Sequence, residues 1–241
     1  MPYELYYWPA LQGRGEFVRL ALEDAGTAYV DLARKANGTS AMMAVLGDAS
    51  LPRIPYAPPF LKDGDLIVSH VANILSYLGP KLGLAPRDEA ARIFANGLQL
   101  TISDLVAEVH ETHHPIASSL YYEDQKEAAK ARTVDFIENR IPAYLGYFER
   151  VLTRNPHGQG QIVGAAVSYV DLSLFQVVDG LGYAFPRPMA DFDARFPALV
   201  ALHDAVRARP NIAAYLASDR RGAFNESDLF RHYPELDLAA G

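Results

Sequence analysis

Residues 3–26 read YELYYWPALQGRGEFVRLALEDAG, and this stretch sets the architecture of the first part of the chain. Its opening, residues 3–8, is rich in the aromatic side chains that suit a pleated, half-buried strand. Gln12-Gly13-Arg14-Gly15 is turn chemistry, with two glycines able to take backbone angles closed to other residues. Phe17, Leu20, Ala21 and Ala25 then recur at helical spacing, and Gly26 ends the run. The order strand, turn, helix puts Tyr7 at the strand end, with its hydroxyl presented to a ligand. Tyr6, one residue earlier, points to the opposite face and is read as core or interface.

The rest of the composition sharpens what such a hydroxyl can do. The chain has 241 residues and 50% hydrophobic content, ample for substantial cores in one large or two small domains. Its formal net charge is −7, and Lys and Arg are scattered, so no basic stripe suggests a nucleic acid or an anionic membrane as partner. No apolar run approaches the roughly 20 residues of a membrane span, and Met-Pro-Tyr-Glu-Leu lacks the plan of a signal peptide. An acidic cytoplasmic protein is the expectation. There is no cysteine, which excludes disulfides, zinc thiolates and any redox thiol of the protein's own. Thiol chemistry here requires a thiol brought by a ligand.

Two kinds of sequence follow one another. Up to about Leu84, strand-like segments at 3–8, 28–32, 60–62 and 66–69 alternate with helical ones, the last two strands joined at Asp63-Gly64 and followed by a short helix over 70–78. That order predicts a small mixed sheet with helices on its faces. From Arg87 onward the chain reads almost entirely as helices: one that begins at Pro86 and Asp88 and stops before His114-Pro115, one over 124–154, one over 166–181, and one or two over 197–216. Pro142 removes a backbone donor inside the second of these, so a kink is expected there. The domains expected are 1–83, mixed α+β, and 84–241, all-helical.

Two further segments form recognisable local structure. Pro58-Pro59-Phe60-Leu61 opens a strand, where proline is admitted at a sheet edge, and an X-Pro bond here can be cis. Ser168-Tyr169-Val170-Asp171 is a capping box ahead of a helix apolar on nearly every side, a folding signal whose loss should cost about 1 kcal/mol or more.

In their order and spacing these segments resemble the cytosolic glutathione transferases, most closely the tyrosine-using Pi, Mu and Sigma branch. The resemblance rests on Leu5-Tyr6-Tyr7-Trp8-Pro9 with Gly13-Arg14, on Pro58 to Leu66, on Asn73-Ile74-Leu75, on Ser103-Asp104-Leu105, and on Ile162-Val163-Gly164 with Ser168 to Asp171. It implies a thioredoxin-like N-terminal domain, an all-helical C-terminal domain, a homodimer, glutathione as cosubstrate and a small apolar electrophile as second substrate. By position, Tyr7 resembles the hydroxyl that hydrogen-bonds the glutathione sulfur; a free thiol has a pKa near 8.5, and a donor aimed at sulfur stabilises the thiolate. Arg14 falls where the family has a positive side chain, Pro59 matches the cis proline, and Asp104 matches the acid that reaches across the dimer to the glutathione amino group.

Two positions depart from the family pattern. A Gln/Glu-Ser pair is replaced by His70-Val71, and valine has no side-chain donor for the γ-glutamyl carboxylate. A hydrogen bond to a charged group is worth about 1.5–3 kcal/mol, so binding could weaken tenfold unless the Val71 N–H, the helix dipole, Ser69 or His70 compensates. Pro58 lacks the N–H that normally pairs with the ligand backbone, leaving only its carbonyl. These departures motivate an alternative, a non-catalytic binding or structural protein of the same fold.

His110-Glu111-Thr112-His113-His114 also matches H-E-x-x-H, the helical zinc-protease signature. A zinc hydrolase needs a third ligand, and the sequence supplies only distant acids such as Glu138, while Pro115 ends the helix beside the second histidine. No metal is expected. The resemblance instead implies that His110 and His114 face the electrophile, with Trp8, Tyr121 and Phe224 as other walls of its pocket.

Overall fold

Tyr3–Tyr6 forms the inner strand β1, pairing in parallel with β2 (Tyr29–Asp31) and antiparallel with β3 (Phe60–Asp63), while β4 (Leu66–Ser69) closes the far edge. The computed structural model describes residues 2–238. Strand alternation sends Leu5 to one face of the sheet, with Leu61 and Val68, against Val18 and Leu22 of α1 (Gly13–Asp24) and Ile74 and Leu78 of α3 (Val71–Leu82). Tyr6 takes the other face, stacked on Phe60 at 4.5 Å between ring centroids and covered by Met42. It is core, as its position on the strand predicts.

Met42 belongs to α2 (Gly38–Leu46), a helix that lies in the stretch left unassigned between the second and third strands. Only Gly38 and Met42 of it are buried, so its sequence carries little periodic signal and the sheet face beneath does the specifying. Strand β1 is also shorter than expected: pairing stops at Tyr6, which frees the backbone from Tyr7 onward to turn away from the sheet. Helix α3 runs past the predicted end, through Pro80 to Leu82, and closes at Gly83 with φ of 71°.

The rest of the described chain is helical: α4 (Glu89–Glu111), α5 (Lys126–Asp135), α6 (Ile141–Arg154), α7 (Tyr169–Ala184), α8 (Phe192–Arg195), α9 (Pro197–Arg207) and α10 (Pro210–Leu216). Asp88 caps α4 by accepting the Ala91 N–H at 2.8 Å. Pro142 is met by a π turn over Phe136–Arg140 between α5 and α6; the wider turn absorbs the missing donor, so the expected kink takes that form. The Ser168–Asp171 capping box forms at the start of α7. The Asp171 carboxylate takes the Ser168 N–H and hydroxyl, both at 2.7 Å, and the Ile162 N–H at 2.8 Å, so it also ties down the preceding loop.

Helix α1 has no solvent face along most of its length. Val18 and Leu22 serve the sheet, while Phe17, Leu20 and Ala21 join the core built by α4, α6, α7, α9 and α10. The architecture is a thioredoxin-like mixed sheet with its helices, followed by a helical domain, with α1 and α3 packed between them.

Candidate active site

Tyr7 follows directly on β1 and is 6% exposed. Its hydroxyl oxygen accepts the backbone N–H of Arg14 at 2.9 Å, which joins the strand end to the first turn of α1. The closeness of that turn demands glycine. Gly13 has φ of 44°, and a Cβ on Gly15 would lie 2.8 Å from the Tyr7 ring. Burial raises the phenol pKa and prevails over the Arg14 N–H and the charges of Arg14 and Arg19, which lower it; Asp228 adds to the rise. Tyr7 is therefore protonated at neutral pH, with its oxygen already holding a donor and its own proton free to be given.

The turn is held from several directions. Arg19, 4% exposed, sets its guanidinium 5.7 Å from the Tyr7 ring centroid and donates to the Leu11 and Gln12 carbonyls, both at 3.1 Å. From the C-terminal segment, Asp228 accepts the Gln12 N–H at 2.9 Å, and the Gly222 carbonyl accepts the Gln12 side chain at 2.6 Å. Gln176 of α7 donates to the same side chain at 2.8 Å. Nothing local in the sequence marks Asp228, Gly222 or Gln176 as partners, because they lie 164 to 216 residues away from Gln12.

A cavity of about 450 Å³ opens between the sheet and α4, and its lining includes Arg14, Pro58, Pro59, His70, Val71 and Asp104. Six predicted ligand contacts thus share one cleft of a single chain, Asp104 included. The Pro58–Pro59 peptide is cis. His70 takes a left-handed φ of 71° as N-cap of α3 and gives no side-chain cap, so the first amides of that helix are left for an anion. Ser69 also lines the cleft. Tyr7 is not part of this lining, and its hydroxyl is joined to it through the Arg14 N–H.

Among the lining residues that the sequence does not mark, one stands out. Gln99 of α4 is fully buried, and neither atom of its side-chain amide has a hydrogen-bond partner. An unpaired buried amide costs about 1–3 kcal/mol, so this one points to a ligand or water in the cleft. Its only signal in the sequence is a polar residue on the apolar face of α4.

The five predicted electrophile contacts lie outside that cavity's lining. Trp8 is 39% and Tyr121 78% exposed, while Phe224 stacks on Tyr183 at 4.9 Å. His110 and His114 stack on each other at 4.7 Å and are joined by His113, which the motif had not marked. The motif's acid is engaged elsewhere: Glu111 pairs with Arg132 at 3.1 Å, and α4 ends there, so His114 is not on the helix. A zinc-protease site is not formed. A larger cavity of about 690 Å³, around Phe94, Tyr147 and Ile162, contains none of the predicted site residues.

Charge is unfavourable on these histidines. Burial, then His114, Arg14 and Arg231, push His110 down to about 4; burial and Arg231 push His113 down to about 2 against its Leu229 bond; burial and Arg231 lower His114. The unfolded chain protonates them near 6.5, so the stability they contribute is present above that pH and is lost as pH falls towards the folded values. His203 acts in the opposite sense: burial disfavours its charge, but Asp179 and Asp204 outweigh that and raise it. Chelator-treated protein should lose stability from pH 7 to pH 5 in urea titrations. His113→Asn should flatten that slope by about 1.4 kcal/mol per pH unit, and an unchanged slope would show that His113 does not resist protonation.

The fold and the Tyr7 turn define a class, proteins that join a thioredoxin-like sheet to a helical domain and present a hydroxyl at the end of the first strand. A family model described as the glutathione S-transferase C-terminal domain matches residues 110–219. The chain is 29% identical over 220 residues to glutathione S-transferase P of Bos taurus, covering 90% of this chain and 92% of that one. It is 27% identical over 220 residues to glutathione S-transferase P 1 of Xenopus laevis, covering 91% and 93%. The solved structure of the Onchocerca volvulus Pi-class glutathione S-transferase superposes with a TM-score of 0.68 at 23% identity, covering 90% of this chain and 92% of that one. Over about nine-tenths of its length the chain is similar to these glutathione S-transferases, and the family model matches within its helical part.

Proposed function

We propose that the protein is a glutathione transferase that joins the glutathione thiol to small apolar electrophiles, with Tyr7 stabilising the thiolate. The observation that carries this is the Tyr7 hydroxyl, buried and neutral, holding the Arg14 N–H and left with a proton to donate, in a chain with no thiol of its own. Glutathione would supply the nucleophile. A donor beside the sulfur lowers the thiol pKa and raises the share of thiolate at neutral pH.

The cleft suits a peptide with carboxylates and an amine. The uncapped start of α3 offers the Val71 N–H and a favourable dipole to the γ-glutamyl carboxylate, with Ser69 and His70 alongside, and Asp104, by the family pattern, reaches across the dimer to the amino group. Pro58 contributes its carbonyl, Arg14 a positive charge, and Gln99 an amide. His110 and His114, with Trp8, Tyr121 and Phe224, form the electrophile side. On this reading residues 1–83 bind glutathione, residues 84–241 shape the second pocket, and the enzyme is a cytoplasmic homodimer serving detoxification. Among the described residues no helix is long and apolar enough to cross a membrane.

The purified protein should conjugate glutathione to chlorodinitrobenzene, and calorimetry should show one glutathione bound per chain. Absence of both sinks the proposal. Sedimentation would test the dimer. Gln99→Leu should stabilise the free protein by about 1 kcal/mol in denaturant titrations, since it removes an unpaired amide, while raising KM for glutathione severalfold. A KM equal to the parent's would assign the Gln99 amide to water alone.

A further inference from the structure

We propose that His110, His113 and His114 form a binding site for one divalent transition-metal cation of the zinc class, separate from the cleft assigned to glutathione. The three imidazoles come from the last turn of α4 and the residues just after it, and their candidate ligand atoms all lie within 4.8 Å of one another. Three imidazoles with an open fourth position are a donor set that zinc, nickel and copper accept.

The decisive residue is His113, which the spacing rule of the sequence motif passes over. It is 1% exposed, and its Nε2 lies 3.0 Å from the Leu229 carbonyl. A carbonyl only accepts, so Nε2 carries the proton and Nδ1 is left as a bare lone pair aimed into the cluster. This is how proteins orient a metal-binding imidazole, with the far nitrogen donating to a backbone oxygen. His113 Nδ1 stands 2.5 Å from His114 Nδ1, so in the metal-free protein the His114 Nδ1–H donates to it. When His114 becomes a ligand through Nδ1, its proton moves to Nε2 through solvent, and no charge is left over on either ring.

The distances fit with small side-chain movement. Two nitrogens bound tetrahedrally to one zinc at about 2.0–2.1 Å lie roughly 3.3 Å apart. The cluster spans 2.5 Å to 4.8 Å, and the adjustment falls to the half-buried His110 and His114, since His113 is buried and held by the Leu229 carbonyl. The guanidinium charges of Arg14 and Arg231 oppose a cation here, whereas the negative end of the α4 dipole favours one. Glu111, paired with Arg132, leaves a metal-bound water without the motif's general base, so the site is for binding and not hydrolysis.

The test is titration of chelator-treated, tag-free full-length protein with zinc in a calorimeter, followed by cobalt in the visible spectrum. One ion per chain is expected, with cobalt giving the strong bands of four-coordinate geometry. His114→Gln should weaken zinc binding about tenfold or more, and His110→Gln likewise, while the exposed His157→Gln should leave it unchanged. No saturable binding up to millimolar zinc, a stoichiometry well below one, or affinity indifferent to His114→Gln would each overturn the proposal. Glutathione is absent from every arm, so failure here is distinguishable from failure of the transferase assignment.

Discussion

Tyr7→Phe should lower kcat/KM for glutathione conjugation about a hundredfold while leaving the fold intact. The magnitude follows from removing one preorganised hydrogen-bond donor from a developing or resident negative charge. The ring stays, so the contacts with Gly13, Gly15 and Arg19 persist, and the Arg14 N–H, only partly buried, can turn to water in place of the lost hydroxyl. The pH dependence supplies a second, independent readout. With Tyr7 present, the thiolate share at neutral pH should be raised. Without it the bound thiol returns towards about 8.5, and the rising limb of the pH–rate profile moves up by the same interval. Equal rates and superimposable profiles for the two proteins would remove Tyr7 from the chemistry and leave the nucleophile's activation to another group.

The second large effect is on stability. Arg19→Ala should destabilise the protein by about 3–5 kcal/mol, a large part of the 5–15 kcal/mol typical of a folded domain. Arg19 bonds Asp31 at 2.7 Å and Glu16 at 3.2 Å, both carboxylates buried, besides the two carbonyls of the Tyr7 turn. Glu16 would keep Arg221 at 3.0 Å and Tyr215 at 2.9 Å, and Asp31 would keep Arg34 at 3.2 Å. Each carboxylate would nonetheless have lost a charged partner it cannot replace from solvent. Arg19→Lys should recover only part of the loss, because an ammonium cannot reach Asp31 and the turn carbonyls in the fork geometry of a guanidinium. Urea titration decides the matter: a loss below about 1 kcal/mol for Arg19→Ala would mean that Arg221, Tyr215 and Arg34 suffice. Conjugation should fall in Arg19→Ala beyond what unfolding explains, since Leu11 and Gln12 lose the side chain that anchors their carbonyls.

These two residues differ in how visible they were. Tyr7 announces itself through its neighbours in the chain: an aromatic strand before it and a glycine turn after it. Arg19 is a polar position among the apolar ones of α1, and only the approach of Asp31, Glu16 and the turn carbonyls reveals what it does. The same contrast runs through the site. Pro58 and Pro59 stand at a strand entry and His70 and Val71 at a helix start, both local patterns, while their place beside a ligand is what the resemblance implies. Gln99 and His113 look ordinary in sequence, and become informative only when burial leaves the Gln99 amide without a partner and fixes the His113 ring between the Leu229 carbonyl and His114. Helix α2 went unread for a related reason, having one buried apolar side chain and taking its stability from the sheet face beneath it.

By itself the sequence determined the mixed sheet, the helical second part, the capped start of α7 and the strand-end position of Tyr7, and its lack of cysteine required the thiol to come from a ligand. Those properties follow from hydrophobic period, turn residues and composition, which act over a few residues at a time. Only the tertiary structure decided that Arg14 and Asp104 share one cleft and that Asp228 and Gln176 hold the Tyr7 turn. It alone brought a third imidazole to His110 and His114. Those are meetings of groups distant in the chain or hidden by their own burial, and no local propensity encodes them.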